Sequence, residues 1–303
     1  MLDYRLVEAF AVVVAEGGFE KAARVLHVTQ SAVSQRVKLL EERAGCVLLV
    51  RSVPPRPTEA GRELLRHYRQ VRLLEDGLSV AGGEGEFAVL PVGVNADSLA
   101  TWFFPALGGY LEEARVLLDL SVDDQSETHR LLRGGDVLGC VSASADPFQG
   151  CRTDYLGDMV YSLYGSPSYK TKWYSGDVTL ETVERAPMLI FNRKDVMHGE
   201  LLAGKLGVEP SGYRAFYLPS SEKFAPVIAS GQVCGMLPWQ QAAEYVERGE
   251  LVDLLPGHAV TVRLHWHCWN LESPRLAGFT RALLAGARRE LARTARPLPT
   301  GAV

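Results

Sequence analysis

Residues 19–42 read FEKAARVLHVTQSAVSQRVKLLEE, which has the spacing of two helices separated by only a few residues. In the second helix, over about residues 30–44, Val33, Val37 and Leu40 fall on one stripe when each residue turns by about 100°. This apolar stripe must be buried, and a further amphipathic helix precedes the pair. The chain is therefore predicted to open with a small helical domain.

The side of this helix opposite the apolar stripe is polar. Thr29 stands where an N-cap hydroxyl would accept an orphan amide hydrogen. Short or forked polar side chains can exchange hydrogen bonds with base edges in the major groove of duplex DNA. The candidate base contacts on this side are Gln30, Ser31, Ser34, Gln35 and Lys38. An ordinary solvated helix face is the alternative, although such a face usually carries more Glu and Lys and less Ser and Gln.

The next segment, CVLLVRSVPPRPTEAG, has the pattern of a wing: an apolar strand, a tip with prolines and a return strand. Arg51 and Arg56 flank the tip, where guanidinium groups could reach phosphates beside the groove. Thr58 then caps a predicted helix over about residues 59–78 with one apolar side. Such a helix is a candidate dimerisation element, because a dimer can present two recognition helices to two half-sites.

Charge is distributed unevenly along the chain. Residues 4–72 contain 12 basic and 7 acidic side chains and carry +5, whereas the whole chain carries −4, so the remainder carries −9. A basic amino-terminal module on an acidic body predicts a polyanion as the partner of that module. Chance clustering on solvated faces is the alternative explanation.

Length and composition indicate the class of protein. At 303 residues the chain is too long for one ordinary core and suits two or three domains. It has no apolar run of the roughly 20 residues needed to cross a bilayer and no export signal at its start, so we expect a cytoplasmic protein without a membrane partner. Its 5 cysteines are scattered and lack C-x-x-C spacing, which favours reduced thiols.

From Phe87 onward, apolar segments alternate with amphipathic helical ones, the pattern of an α/β fold with largely parallel strands. Ligands of such sheets bind beyond the carboxyl ends of strands, at helix starts. Two predicted helix starts combine hydroxyls with an acid: Asn95, Asp97, Ser98 and Thr101 in the first, and Ser220, Ser221 and Glu222 in the second. The carboxylates that could meet a ligand cation are Asp97, Asp123, Asp124 and Glu222. Plain N-capping is the alternative.

The segment FEKAARVLHVTQSAVSQRVKLLEERAG, the wing and PTEAG resemble the winged helix-turn-helix of LysR-type transcriptional regulators. The resemblance implies that Gln30, Ser31, Ser34 and their neighbours read bases, while Arg51 and Arg56 hold the DNA backbone. Most of that family has Arg and then Gln after the serine of the recognition helix. This chain has Gln35 and then Arg36, and both are candidate DNA contacts.

Further motifs, VNADSLATWFFPAL, LLRGGDVLGCVS, DVMH and SSEKF, look like the ArgP/IciA/LysG subgroup of that family. The resemblance implies a two-lobed effector domain similar to periplasmic binding proteins, with lysine or arginine between the lobes and control of basic amino-acid transport, export or metabolism. It also implies three partners: double-stranded promoter DNA, further copies of the chain in a dimer or tetramer, and RNA polymerase.

These inferences divide the chain into a winged helix-turn-helix domain at 1–58, a linker helix at 59–80, a hinge at 81–86 and an effector domain at 87–303. Within the effector domain, lobe I is expected at about 87–160 and 267–303, and lobe II at about 161–266. The predicted fold class is therefore an α-helical amino-terminal domain followed by a two-lobed α/β domain.

Other chemical signals are weak. In HWHCW at 265–269, His265 and His267 would share a face of a strand without a further ligand, so a packed aromatic strand is favoured over a metal site. Cys140 and Cys151 could form a redox pair, which leaves a sensor of oxidants or of another metabolite as an alternative, beside a solute-binding protein with a vestigial DNA module. No G-x-S-x-G, phosphate-loop or H-E-x-x-H motif occurs, so neither enzymatic activity nor a cofactor is expected.

Overall fold

The structure, a computed structural model, describes residues 2–78, 87–123, 128–147, 149–208 and 212–293. Three predicted features lie outside the described residues: the hinge at 81–86, Asp124, and the side chain of Asp123 at the end of its strand.

The amino-terminal domain contains three helices, a two-stranded antiparallel wing and the start of a long fourth helix. Their bounds are α1 Tyr4–Ala15, α2 Phe19–Val25, α3 Gln30–Ala44, β1 Leu49–Val50, β2 Arg56–Pro57 and α4 Glu59–Leu78. The predicted apolar stripe of α3 is fully buried against Phe10 of α1. The Thr29 hydroxyl accepts the amide hydrogen of Ala32 at 3.3 Å, which confirms the predicted cap.

Helix α4 contributes to two cores. Leu65, in its first half, is buried with the apolar side chains of α1 and α3. Leu73, two turns further along, is buried in the core of the α/β domain instead. The helix therefore joins the amino-terminal domain to the body of the molecule by packing as well as by covalent connection.

The α/β domain alternates strands and helices as predicted. Its strands are β3 Ala88–Asn95, β4 Val116–Asp123, β5 Gly139–Ser142, β6 Cys151–Gly165, β7 Pro187–Ile190, β8 Arg214–Tyr217, β9 Cys234–Pro238, β10 Val252–Asp253 and β11 Val260–Trp269. Its helices are α5 Ala96–Ala100, α6 Phe103–Glu113, α7 Thr128–Gly134, α8 Pro167–Trp173, α9 Leu180–Arg185, α10 Met197–Leu206, α11 Phe224–Ala229, α12 Trp239–Glu247 and α13 Pro274–Arg293, with a 3-10 turn at Ser221–Lys223.

The strands form one mixed sheet in the order β4-β3-β5-β11-β6-β9-β7-β8, and β10 pairs with β6. The pairs β3–β4, β3–β5, β7–β8 and β7–β9 are parallel, as predicted. The middle of the sheet differs from the prediction of largely parallel strands, because β11 runs antiparallel to both β5 and β6. The physical reason is that β6 carries the chain from lobe I to lobe II and β11 brings it back alongside.

Two lobes follow from this topology. Lobe I contains β3, β4 and β5, lobe II contains β7, β8 and β9, and the long strands β6 and β11 belong to both. At its carboxyl end β3 runs directly into α5, whereas β7 is followed by residues 191–196 and then by α10. Such strand ends are where ligands bind in α/β folds.

Within the described residues, no helix has the length and apolar character that a membrane span requires.

Candidate functional site

The polar face of α3 is open to the outside. Its exposed residues are Gln30, Ser31, Gln35 and Lys38, whereas Ser34 and Arg36 are half-buried. Ser31 shares a hydrogen bond of 3.0 Å with Thr29, and Lys38 lies 3.7 Å from Glu42 in an exposed ion pair. An exposed pair of this kind adds little to stability. The face is thus available to a partner and is not consumed by internal contacts.

The wing lies next to the start of α3. A groove between them, of about 540 Å³, is lined by Gln30 and Ser34 of α3, Arg51 and Val53 of the wing, and Lys21 of α2. The structure therefore brings Gln30, Ser34 and Arg51 together, three of the residues proposed from the sequence. Amide, hydroxyl and guanidinium groups at one groove can meet base edges and phosphates in the same DNA segment.

The remaining candidates for DNA contact are placed as follows. Ser31, Gln35 and Lys38 lie on the exposed side of α3 outside this groove, and Arg56 is exposed in β2. Arg36 is half-buried and lies beside the apolar stripe, away from Ser34 on the helix circumference. Its place is the least suited to base contact among these residues.

A second candidate site is a cavity of about 160 Å³ between the two lobes. It lies where β3 runs into α5 in lobe I and faces the segment before α10 and the 3-10 turn of lobe II. The lining residues are Asn95, Ala96, Asp97, Ala143, Tyr161, Phe191, Lys194, Asp195, Val196, Met197, Ser221, Phe224 and Met236. Three of the residues proposed from the sequence, Asn95, Asp97 and Ser221, meet there.

Asp97 accepts hydrogen bonds from lobe II and from the strand that both lobes share. Tyr161 donates its hydroxyl to Asp97 Oδ2 at 2.7 Å, and Ser221 donates its hydroxyl to Asp97 Oδ1. Gln241 Nε2 in turn donates to Ser221 Oγ at 2.7 Å, which orients the serine. Hydrogen bonds to an ionised carboxylate are among the stronger ones in proteins. Asp97 of lobe I is therefore tied to lobe II inside the cavity.

Asn95 presents a buried acceptor at the same cavity. The residue is only 2% exposed, and its side chain makes no capping bond at the start of α5. Among the described residues, its Oδ1 atom has no hydrogen-bond partner. An unpaired buried acceptor costs about 1–3 kcal/mol, so a ligand N–H group would be favoured here. Plain capping does not account for this side chain.

Lys194 and Asp195 line the lobe II side of the cavity. The Asp195 carboxylate accepts the backbone N–H groups of Phe191 at 3.3 Å and Met197 at 3.1 Å, which holds it in place. The charged lining residues of the cavity are thus one base, Lys194, and two acids, Asp97 and Asp195. This set can pair with a ligand that carries one carboxylate and more than one positive charge.

The sequence did not point to Lys194, Asp195 or Tyr161. A signal for the first two was present, because FNRKDVMH follows the strand PMLI and precedes a helix, like the segment around Asp97. Tyr161 carried no such signal, since it lies in the middle of β6 and reaches the cavity only through the pairing of strands.

Four other proposed effector residues lie outside the cavity wall. Ser98 is fully buried, and its hydroxyl accepts the Trp102 indole N–H at 3.1 Å. Thr101 donates its hydroxyl to the Asp97 carbonyl oxygen at 2.6 Å, within its own helix. Ser220 and Glu222 flank Ser221, and Glu222 is exposed. Ser98 and Thr101 therefore support the fold of α5 locally.

The HWHCW segment is a packed strand. Both ring nitrogens of His267 are used, because Nδ1 shares a hydrogen bond of 3.0 Å with the Thr153 hydroxyl and Nε2 lies 2.8 Å from the Ser144 carbonyl oxygen. His265 packs against the Tyr155 ring at 5.6 Å. Within the described residues, no group of three His, Cys, Asp or Glu side chains could hold a metal ion.

The two cysteines considered for redox sensing have protonated thiols near neutral pH. Burial raises the pKa of Cys140 far above its ordinary value, and the neighbouring thiols of Cys151 and Cys268 act in the same direction. Burial likewise raises the pKa of Cys151 to about 11. A thiol of high pKa is a poor nucleophile toward oxidants, so the geometry does not favour an oxidant sensor.

Comparisons with known proteins identify the class that this fold and these two sites define. Residues 4–62 match the family model "Bacterial regulatory helix-turn-helix protein, lysR family", and residues 83–288 match "LysR substrate binding domain". The chain belongs to the LysR family of bacterial transcriptional regulators. This family consists of DNA-binding regulators and not of enzymes. It confirms the expectation of a DNA partner and the expectation that the protein has no enzymatic activity.

Within the family, the similarity is to regulators called ArgP and LysG, which confirms the predicted subgroup. The transcriptional regulator ArgP of Pseudomonas aeruginosa is 44% identical over 95% of this chain and 96% of its own length. The crystal structure of ArgP from Mycobacterium tuberculosis superimposes with a TM-score of 0.83 at 37% identity, covering 95% of this chain and 98% of that chain. Full-length LysG from Corynebacterium glutamicum with bound effector Arg superimposes with a TM-score of 0.74 at 33% identity, covering 98% of this chain and 100% of that chain.

Proposed function

We propose that this LysR-family regulator senses lysine or arginine in the cavity between its lobes and controls the transport, export or metabolism of basic amino acids. The observation that carries the proposal is the charge set of the cavity, one lysine and two carboxylates, with an unpartnered Asn95 oxygen beside them. A basic amino acid has one carboxylate and two cationic groups, which this set complements. Bound arginine in the similar LysG supports the choice of ligand.

The proposed pose places the ligand carboxylate at Lys194 and its cationic groups at Asp97, Asp195 and the Asn95 oxygen. Asp97 of lobe I is then shared between the ligand and Ser221 of lobe II. A ligand switches a protein only if it favours one arrangement over another. We infer that the ligand favours the arrangement of lobes in which Asp97 and Asp195 both face it.

DNA recognition is assigned to α3 and the wing. Gln30 and Ser34 at the shared groove, with Ser31, Gln35 and Lys38 beside it, would read base edges, and Arg51 and Arg56 would hold phosphates. Thr29 and Arg36 complete the proposed set as neighbours of these residues. The net charge of +5 over residues 4–72 supports binding of a polyanion by this module.

Assembly into a homodimer or tetramer is part of the proposal. The two edge strands of the sheet carry exposed apolar side chains, Leu117 and Val122 on β4 and Phe216 and Tyr217 on β8. Exposed apolar edge strands favour pairing with another surface. The promoter-bound oligomer would act in the cytoplasm and contact RNA polymerase there, as expected from the role of the family.

Titration of a labelled promoter fragment with the purified protein tests the proposed effector. We expect lysine or arginine to change the apparent DNA affinity or the footprint at the half-sites. Citrulline, which has nearly the shape of arginine but an uncharged side chain, should have no effect. Identical footprints with every amino acid, citrulline included, would refute the proposed effector while leaving the DNA-binding assignment intact.

A variant pair ties the response to the cavity. Asp195→Asn removes one carboxylate from the cavity wall, and we expect it to raise the effector concentration needed for half of the response by roughly tenfold or more. Asp177→Asn changes an exposed acid outside the cavity and is the matched control. Equal midpoints for the two variants would show that the ligand binds elsewhere.

A further inference from the structure

A groove of about 400 Å³ lies on the other face of β6 from the interlobe cavity. Val160 lines this groove and Tyr161 lines the cavity, because successive side chains of a strand point to opposite faces. No residue lines both spaces. The groove is therefore a separate space beside the strand that the two lobes share. Its lining residues are Tyr155, Leu156, Gly157, Asp158, Val160, Trp239, Gln240, Arg288, Leu291 and Ala292.

Both lobes contribute to the wall of this groove. Trp239 and Gln240 are the first two residues of α12, and this helix packs in lobe II, because its Ala242 is buried with Leu189 of β7. Arg288 lies near the end of α13, which packs against α6 of lobe I. A molecule bound in the groove would therefore contact both lobes.

Much of the wall is apolar. Leu156 and Leu291 are buried, and the Trp239 ring is half-buried. Gly157 allows α13 to approach β6 closely, because a Cβ atom at this position would lie 2.7 Å from Leu291 Cδ1. The ladder between β6 and β11 is irregular at the same place, between Leu264 and His265 of β11. A concave apolar wall of this kind suits a branched or aromatic hydrocarbon group.

Gln240 adds a buried acceptor to this apolar wall. The residue is half-buried, but its Oε1 atom is buried and has no hydrogen-bond partner among the described residues. A buried acceptor without a partner is unfavourable, since the group has lost its hydrogen bonds to water. A ligand N–H group at this atom would remove that cost.

Two opposite charges lie at the groove, on Asp158 and Arg288, and both residues are exposed. Asp158 Oδ1 accepts the Tyr155 hydroxyl at 2.6 Å, and in the described part of the chain its carboxylate makes no ion pair. Arg288 makes neither a hydrogen bond nor an ion pair with any described residue. The nearby Arg263 lies 5.3 Å from the centre of the Tyr155 ring and does not line the groove.

We propose that this groove binds an amino acid with an apolar side chain, such as leucine or phenylalanine. Arg288 would hold the ligand carboxylate, and Asp158 and Gln240 Oε1 would accept hydrogen bonds from its ammonium group. The hydrocarbon side chain would pack against Leu156 and Trp239. The bound amino acid would thus join α12 of lobe II to α13 of lobe I, whether or not a basic amino acid occupies the interlobe cavity.

Isothermal titration of the full-length protein with leucine and with phenylalanine tests the site. We expect saturable binding of at least one of them and a matching rise in melting temperature. Isocaproate, which lacks the ammonium group of leucine, and isoamylamine, which lacks its carboxylate, should bind at least tenfold more weakly. The proposal is overturned if neither amino acid binds, or if the two truncated compounds bind as tightly as leucine.

Three variants locate the binding. Arg288→Gln removes the cation at an exposed position of the groove and should weaken leucine binding by roughly tenfold or more. Arg289→Gln is the matched control, because Arg289 is the next residue of α13, is also exposed and does not line the groove. Asp195→Asn, which alters the proposed site of the basic amino acid, should not weaken leucine binding. Equal affinities of the two arginine variants, or loss of leucine binding in Asp195→Asn, would refute the site.

Discussion

At the scale of single residues, Asp97 joins the two lobes through one carboxylate. It lies at the start of α5 in lobe I, and one of its oxygens accepts the hydroxyl of Ser221 from lobe II. Its other oxygen is held by Tyr161 on the strand that belongs to both lobes. A cationic ligand group that approaches this carboxylate therefore acts on both lobes at once.

Replacement of Asp97 tests this role. Asp97→Asn keeps the size of the side chain but removes the charge, so we expect the effector midpoint to rise by about 10- to 100-fold. DNA binding without effector should stay close to that of the unmodified protein, because α3 and the wing are untouched. Measurement of DNA affinity over a range of arginine concentrations gives the midpoint. An unchanged midpoint contradicts the assignment of Asp97 to the ligand cation.

His198 connects stability to pH. It is buried at the start of α10, and its two ring nitrogens have no hydrogen-bond partner among the described residues. Burial lowers its pKa below the ordinary value, against the opposite influence of the Asp195 carboxylate. As the pH falls through about 6.5, His198 is protonated in the unfolded chain but stays neutral in the folded chain. The stability that neutral His198 provides is complete above pH 6.5 and is lost as the pH falls toward the folded pKa.

We expect the free energy of unfolding to fall by up to about 1.4 kcal/mol per pH unit below pH 6.5 on account of this residue. Denaturant titrations between pH 7.5 and about 5.5 measure the slope. His198→Leu should reduce the slope, whereas His258→Gln, at a partly exposed position, should not. Equal slopes for these two variants would assign the acid sensitivity to other groups. His265 is one such group, because burial lowers its pKa as well.

We expect the thiols of Cys140 and Cys151 to play no part in the response to the effector. Because burial raises the pKa of both Cys140 and Cys151, the double replacement by serine should leave the response to a basic amino acid unchanged. The same promoter titration, with and without a mild oxidant, checks this. A response to the oxidant that disappears in the double variant would instead support a redox sensor.

At the scale of secondary-structure elements, α3 and the wing separate two kinds of DNA contact. Ser34→Ala should cost about 1–3 kcal/mol of binding free energy and relax the preference at one base pair. Arg51→Ala should weaken binding to all sequences alike and reduce the salt dependence by about one counterion. Competition titrations against single-base variants of the operator distinguish these outcomes. Lys170→Ala, at an exposed position of α8, is the control.

The elements that the sequence predicted best are those made by local patterns. The bounds of α3 follow from a hydroxyl cap and an apolar stripe that lie within one segment, so the prediction needed no partner. Asn95 and Asp97 were found by the same local logic, as polar residues where a strand ends and a helix starts. Ser98 shares that pattern but faces Trp102, which a pattern of residue types does not reveal.

Long-range pairing explains what was missed. Cys151 on β6 pairs with Trp269 on β11, and the two strands run in opposite directions, so the middle of the sheet is antiparallel. Nothing in either segment alone specifies the partner strand or its direction. Tyr161 reaches the cavity only because β6 continues from lobe I into lobe II. The charge set of the cavity was therefore predicted in part, through Asp97, and completed by the fold.

At the scale of the whole molecule, the two edges of the sheet predict how copies assemble. Phe216→Lys introduces a charge on β8, where the native side chain is 51% exposed, so the folded monomer should tolerate it. We expect the dissociation constant of the oligomer to rise by roughly tenfold or more. Sedimentation over a range of protein concentrations measures this constant.

Leu180→Lys is the matched control, because Leu180 is also an exposed apolar residue, at 38%, but lies in α9 away from the sheet edges. Equal dissociation constants for the two variants would mean that β8 is not an assembly surface.

The return of β11 to lobe I has a consequence for how the chain folds while it is being synthesised. Strand β5 lies between β3 and β11, so its second flank stays vacant until Val260–Trp269 leaves the ribosome. Strands β6 to β10 are synthesised before β11, so the pairs β6–β9, β7–β9, β7–β8 and β6–β10 can form first. Until β11 is made, lobe I of the nascent chain has an unpaired edge at β5, and such an edge can pair with the wrong strand. Translation that stops before β11 would therefore yield a chain in which β5 and β6 both lack this partner strand, and chaperones or proteases would have to handle it.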